Sequence, residues 1–60
     1  MRAKVIKSFM AISGNNDIIV SVRAKQRWAI YESGDTINIH RENVRIKLDK
    51  RTFHEHFEIL

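Results

Sequence analysis

Thr36-Ile37-Asn38-Ile39-His40, then Arg41-Glu42-Asn43, then Val44-Arg45-Ile46-Lys47-Leu48: this stretch decides how the chain folds. Ile37 and Ile39 alternate with polar residues, and so do Val44, Ile46 and Leu48. A period of two places successive side chains on opposite faces, which is the pattern of a strand with one buried and one solvated side. Arg41-Glu42-Asn43 supplies the turn between the two strands. Arg45 and Lys47 then lie on the polar face of the more regular one.

The same grammar extends outward in both directions. Glu32-Ser33-Gly34-Asp35 is a second turn, preceded by the short segment Arg27-Trp28-Ala29-Ile30-Tyr31. Ser13-Gly14-Asn15-Asn16-Asp17 is the strongest turn signal of all, because Gly and Asn accept positive φ and Asn and Asp side chains bond their own backbone. Val5 to Ile12 and Ile18 to Ala24 flank it, which predicts a hairpin. In its second arm Ile18, Val20, Val22 and Ala24 share one face, while Ser21, Arg23, Lys25 and Arg27 share the other. The first arm is less regular, with Val5 and Ile6 adjacent and Phe9 and Met10 adjacent; either both faces are covered or a bulge interrupts it.

The last twelve residues change character. Asp49 can cap a helix, Thr52-Phe53-His54-Glu55 has capping-box spacing, and Phe53, Phe57 and Leu60 fall on one helical stripe. The expected order is five strands followed by a short C-terminal helix or 3₁₀ turn that docks its phenylalanines across an open end. Short strands with turn signals every 8–12 residues argue for a mostly β fold, a small barrel or sandwich. Its expected core is Val5, Phe9, Ile18, Val20, Val22, Ile30, Ile37, Ile39, Val44, Ile46, Leu48, Phe53 and Phe57.

Size limits what such a fold can do. Sixty residues make a single domain, residues 1–60, near the lower limit for independent folding. With no cysteine there is no disulfide and no thiolate chemistry, as suits a reducing compartment. No apolar run approaches the ~20 residues that span a bilayer. Lys7 interrupts the N-terminal apolar residues, so no signal peptide is read there. These features predict a cytoplasmic protein without a membrane partner.

Eleven Lys and Arg against seven Asp and Glu give a net charge of +4 and a pI near 10.0. A surplus of that size points to an anionic partner, although it also serves solubility. Arg23, Lys25 and Arg27 on one strand and Arg45 and Lys47 on another would line one sheet surface, with Arg2, Lys4 and Lys7 clustered at the N-terminus. Such a stripe can neutralise phosphates, and Trp28 and Tyr31 beside it could stack on bases. Alternatively the cations merely solvate the outer faces and protect strand edges, and Trp28 belongs to the core.

Catalysis is not expected. Ser8, Ser13, Ser21 and Ser33 sit in no nucleophile motif, and two isolated glycines build no phosphate loop. Glu32, Asp35, Asp49 and Glu55 fit turn, cap and helix-surface positions. His54 and His56 are two apart, so on a helix they cannot chelate one ion, and His40 is distant. No metal or other cofactor is expected.

Three stretches carry a resemblance: Ala3 to Phe9, Tyr31 to Ile39 with its Gly34-Asp35 turn, and Leu48 to Glu58 with its Phe53 to Phe57 spacing. Their layout resembles short proteins encoded by bacteriophages and prophages of Gram-positive bacteria. That resemblance covers about half the chain and implies an SH3-like five-stranded barrel with an accessory phage role and no activity. The expected function is then binding: inhibition or regulation of a host or phage protein with an acidic face, through the basic sheet surface. The alternative is DNA or RNA bound by the same face. Self-association through an edge strand is compatible with both.

Overall fold

A computed structural model describes residues 1–14 and 17–60. Seven strands and one helix follow in the order β1 (Arg2–Val5), β2 (Phe9–Ile12), β3 (Ile19–Val22), β4 (Arg27–Ser33), β5 (Thr36–Arg41), β6 (Val44–Asp49), α1 (Lys50–His56) and β7 (Phe57–Ile59). The chain is mostly β with a short C-terminal helix. It is not a closed five-stranded barrel: one antiparallel sheet has the order β6-β5-β4-β1-β7, and β2 and β3 form a separate two-stranded sheet.

Where alternation is strict, the strands form as the pattern requires. Ile37 pairs with Leu48 and Ile39 with both Ile30 and Ile46, so one face of β4, β5 and β6 is continuous aliphatic surface. Two-residue loops join these strands. Gly34 takes φ 60° at the first loop position of β4–β5, as primed hairpin turns demand. Glu42 takes φ 57° at the equivalent place in β5–β6.

The N-terminal half departs from expectation. The single strand Val5 to Ile12 is two strands, broken at Ile6-Lys7-Ser8. Neither coverage on both faces nor a bulge explains the adjacent apolar pairs; the chain leaves one sheet and enters the other. Val5 points into the core and Ile6 out, then Phe9 inward and Met10 out. The Ser13–Asp17 turn falls partly on Asn15 and Asn16, outside the described residues. Its described ends do close, with Ser13 N–H donating to Ile18 O at 2.8 Å.

The hairpin lays Phe9, Ala11, Val20 and Val22 over the aliphatic face of the larger sheet, giving two layers around one core. Ala3, Val5, Val22, Trp28, Ile30, Ile37, Ile39, Ile46, Leu48, Phe53 and Phe57 are buried. Phe9, Val20 and Val44 are half-buried against them. Ile18 was expected inside but is 50% exposed, because β3 begins only at Ile19.

At the C-terminus the carboxylate of Asp49 caps α1. It accepts the Thr52 N–H at 3.3 Å and the Thr52 hydroxyl at 2.5 Å. The expected stripe ends early: α1 stops at His56, so Phe57 opens β7 and pairs with Val5, and Leu60 is exposed. The two phenylalanines still meet, Phe53 stacking on Phe57 with centroids 4.8 Å apart, while Phe9 meets Phe57 edge-on at 5.9 Å.

Phe53→Ala removes a fully buried ring from this cluster and should cost about 3–5 kcal/mol. Roughly that amount is the whole stability such a core can supply, so urea titration should find the variant largely unfolded. Hydrogen bonds from the Thr52 side chain and backbone hold the Asp49 carboxyl below its ordinary value of 3.8. A depressed carboxylate stabilises the fold fully above its unfolded pKa, and that contribution disappears as pH falls through the folded one. Thermal midpoints measured down the acid limb should therefore fall less steeply for Asp49→Asn, which caps without titrating.

Candidate binding surface

The site begins with a correction to the basic stripe. Arg23 and Lys25 do not alternate along a strand, because β3 ends at Val22. Residues 23–26 form a turn instead. Gln26 N–H donates to Arg23 O at 3.2 Å, Arg23 N–H donates to Gln26 Oε1 at 3.0 Å, and Lys25 takes φ 77°. A left-handed residue reverses the chain direction, so the two-residue period cannot cross it. Lys25 N–H donates to Val5 O at 2.7 Å, which ties the turn to the end of β1 and delivers the chain into β4.

Arg27, Arg45 and Lys47 do share a surface, and β-register supplies its other members. Across the solvent side of the larger sheet, Arg45 lies opposite His40, His40 opposite Ala29, and Ala29 opposite Arg2. In the next row Lys47 lies opposite Asn38, and Asn38 opposite Tyr31. Lys4 lies opposite Arg27 on one side and Glu58 on the other. Five cations, Arg2, Lys4, Arg27, Arg45 and Lys47, therefore frame a centre of Tyr31, Asn38 and His40. Neighbouring strands stand about 4.8 Å apart and same-face residues about 7 Å apart along a strand. The frame is consequently on the order of 15 Å wide.

Few acids interrupt it. Glu58 and Asp49 are the acidic residues of that face, and Asp49 is committed to the helix cap. The ion pairs Lys50–Glu32 at 3.3 Å and Arg51–Glu55 at 3.7 Å lie outside the frame. Arg45 is also held through its backbone, whose carbonyl accepts the Gly14 N–H at 2.8 Å and the Ser13 hydroxyl at 3.4 Å. That contact anchors the tip of the hairpin to the β6 edge.

The two aromatic candidates separate. Tyr31 is 62% exposed at the centre of the face, beside a shallow depression of about 280 Å³ lined by Asn38, His40 and Arg45. Trp28 is 2% exposed and lies opposite Ala3 on the core side, its indole N–H donating to Gln26 Oε1 at 3.3 Å. Trp28 cannot stack on a ligand. The period of two already contained this result, since Arg27 and Tyr31 are even steps apart and Trp28 is an odd one. The same counting would have placed Arg2 and Lys4 on the face.

Elsewhere the histidines are dispersed. His56 Nδ1 lies 3.1 Å from Lys7 O with its ring against Phe9, whereas His54 packs on Phe53. No group of three His, Cys, Asp or Glu able to hold a metal ion occurs among the described residues. A groove of about 450 Å³ runs over Met1, Ile30, Ile37 and Ile59 beside His54 and the Lys50–Glu32 pair. No helix among the described residues is long and apolar enough to cross a membrane.

Comparison of the chain with protein-family models, curated proteins and solved structures gave no match.

Proposed function

We propose that this protein is a non-catalytic binding module whose outer sheet face engages an anionic macromolecule. The observation that carries the reading is the frame of five cations, drawn from three strands, around an exposed tyrosine. Each strand contributes because its other face is committed to the core, so the charges are held together by the fold and not by local sequence. Convergent positive charge of this kind speeds encounter with a negative partner and sets its orientation.

An acidic protein face is the better match. With Trp28 sealed in the core, Tyr31 is the one aromatic on the face, and a single ring is a small platform for successive bases. Tyr and Arg together are the residue types that anchor protein interfaces. In this reading the molecule is an inhibitor or regulator of a host or phage protein. That role accords with the resemblance of its sequence to short phage proteins. One observation favours single-stranded nucleic acid instead: Asn38 and His40, which can bond base edges, flank Tyr31, with cations on both sides for phosphates.

Charge reversal tests both. Arg27→Glu combined with Lys47→Glu should weaken partner binding roughly tenfold or more, chiefly through slower association. Lys25→Glu, in the 23–26 turn, should leave it unchanged. Capture from a nuclease-treated bacterial lysate should retain one stoichiometric partner on the wild type and on Lys25→Glu, but not on the double reversal. Fluorescence anisotropy with oligonucleotides at about 50 mM salt reads the alternative, in which binding falls steeply as salt rises. A partner held equally by the double reversal, or no binding in either assay, would overturn the proposed face.

A further inference from the structure

The 280 Å³ depression within the cation frame is more specific than the frame itself. Its lining comes from three neighbouring strands: Tyr31 of β4, Asn38 and His40 of β5, and Arg45 of β6. Register holds these four together, since Tyr31 lies opposite Asn38 and His40 opposite Arg45. Ile39 underlies the hollow with its side chain committed to the core.

Each of the four polar side chains can donate a hydrogen bond. Arginine carries five N–H donors in a planar fork, asparagine two on its amide, tyrosine one hydroxyl and histidine one or two ring N–H groups. No acidic side chain lines the hollow. Of the acids on this face, Asp49 stands four residues along β6 from Arg45, about 13 Å away, and Glu58 stands three strands from β5, about 14 Å away. Donors that surround a hollow, with cations outside them and no carboxylate among them, make a seat for an oxyanion.

We propose that this hollow seats a phosphate monoester, the phosphorylated side chain of the protein partner. The inference rests on the outer face being a binding surface, and it names the group that the centre of that face selects. A terminal phosphoryl group carries a charge near −2 at neutral pH and spreads three acceptor oxygens in different directions. Donors standing on three strands around a hollow can reach all three, and the Arg45 fork can take two of them side by side. A carboxylate has one charge and two oxygens in one plane, which suits a single fork better than a ring of donors. The backbone phosphate of a nucleic acid is a diester with two free oxygens, and its chain continues on both sides. It lies across a row of cations more readily than it enters a hollow end-on. Arg2, Lys4, Arg27 and Lys47 then meet the acidic residues that surround the phosphorylated one.

NMR titration of the full chain with small anions at constant ionic strength reads the hollow without a macromolecular partner. At about pH 7.5, above the second phosphate pKa of about 6, methyl phosphate is a dianion. It should shift the signals of Tyr31, Asn38, His40 and Arg45 saturably. Its affinity should exceed roughly tenfold that of malonate, a dianion without a phosphoryl group, and that of dimethyl phosphate, a diester. Arg45→Gln should weaken methyl phosphate roughly fivefold or more, and so should Tyr31→Phe, which keeps the ring and removes one donor. Arg51→Gln removes the same charge from the exposed side of α1 and should change nothing. A protein partner captured from nuclease-treated lysate should be released by phosphatase. Absence of saturable shifts at the four residues, equal affinity for malonate, or equal weakening by Arg51→Gln overturns the phosphoryl seat. Equal affinity for dimethyl phosphate assigns the hollow to a nucleic-acid backbone, and a partner retained after phosphatase assigns it to carboxylates; either overturns the proposal. These outcomes are separate from the Arg27→Glu, Lys47→Glu double reversal, whose loss of a phosphatase-resistant partner would uphold the outer face while removing the phosphoryl group from it.

Discussion

The structure depends on one buried face. Ile30, Ile37, Ile39, Ile46 and Leu48, all from β4, β5 and β6, must leave water together, and a slip of one residue in any of these strands would expose its whole aliphatic set. Register is therefore strongly held, and everything on the solvent side inherits it. Arg45, Lys47, His40, Asn38 and Tyr31 are neighbours because the isoleucines beneath them are neighbours. The basic face is in this sense a by-product of the core.

A core of this length needs a second layer, since a twisted sheet with one apolar side does not bury that side alone. Two unlike pieces provide it. The β2–β3 hairpin covers the face with Phe9, Ala11, Val20 and Val22, and α1 brings Phe53 against Phe57. Two short connections put the hairpin there. Ile6-Lys7-Ser8 carries the chain out of the larger sheet, and the 23–26 turn returns it, with Lys25 at φ 77° and bonded to Val5 O. The hairpin tip is then tied to the β6 backbone through Gly14. Among the described residues no further element covers the far side of β3 or the outward apolar face of the hairpin.

Two surfaces of opposite chemistry result. One is charged and rests on five strands bonded to one another; the other is apolar and rests on two. In the reading proposed above, the first meets an anionic partner; the second is the exposed apolar side of the hairpin. Keeping them on separate sheets lets each change sequence without disturbing the other.

Much of this was legible beforehand. Period-two alternation in Thr36–Leu48 gave β5, β6 and their buried residues, the Gly34 and Glu42–Asn43 turns gave the hairpin ends, and Asp49 with Thr52 gave the start of α1. Local patterns of that kind report on residues a few positions apart, where sterics and side-chain capping act directly. The break at Ile6–Ser8, the separate two-stranded sheet, the exposure of Ile18 and the removal of Arg23 and Lys25 from the stripe were not legible. The first two go with bonds between residues distant in sequence, such as Lys25 to Val5 or Gly14 to Arg45, and the last two with where β3 begins and ends and with the 23–26 turn. The arrival of Arg2 and Lys4 beside Arg27 is of the former origin, because β1 reaches β4 only after the hairpin between them has folded back. Sequence alone determined which residues seek the interior and where the chain can turn; tertiary structure decided which charges became neighbours, because sheet order is set by long-range burial that no local period records.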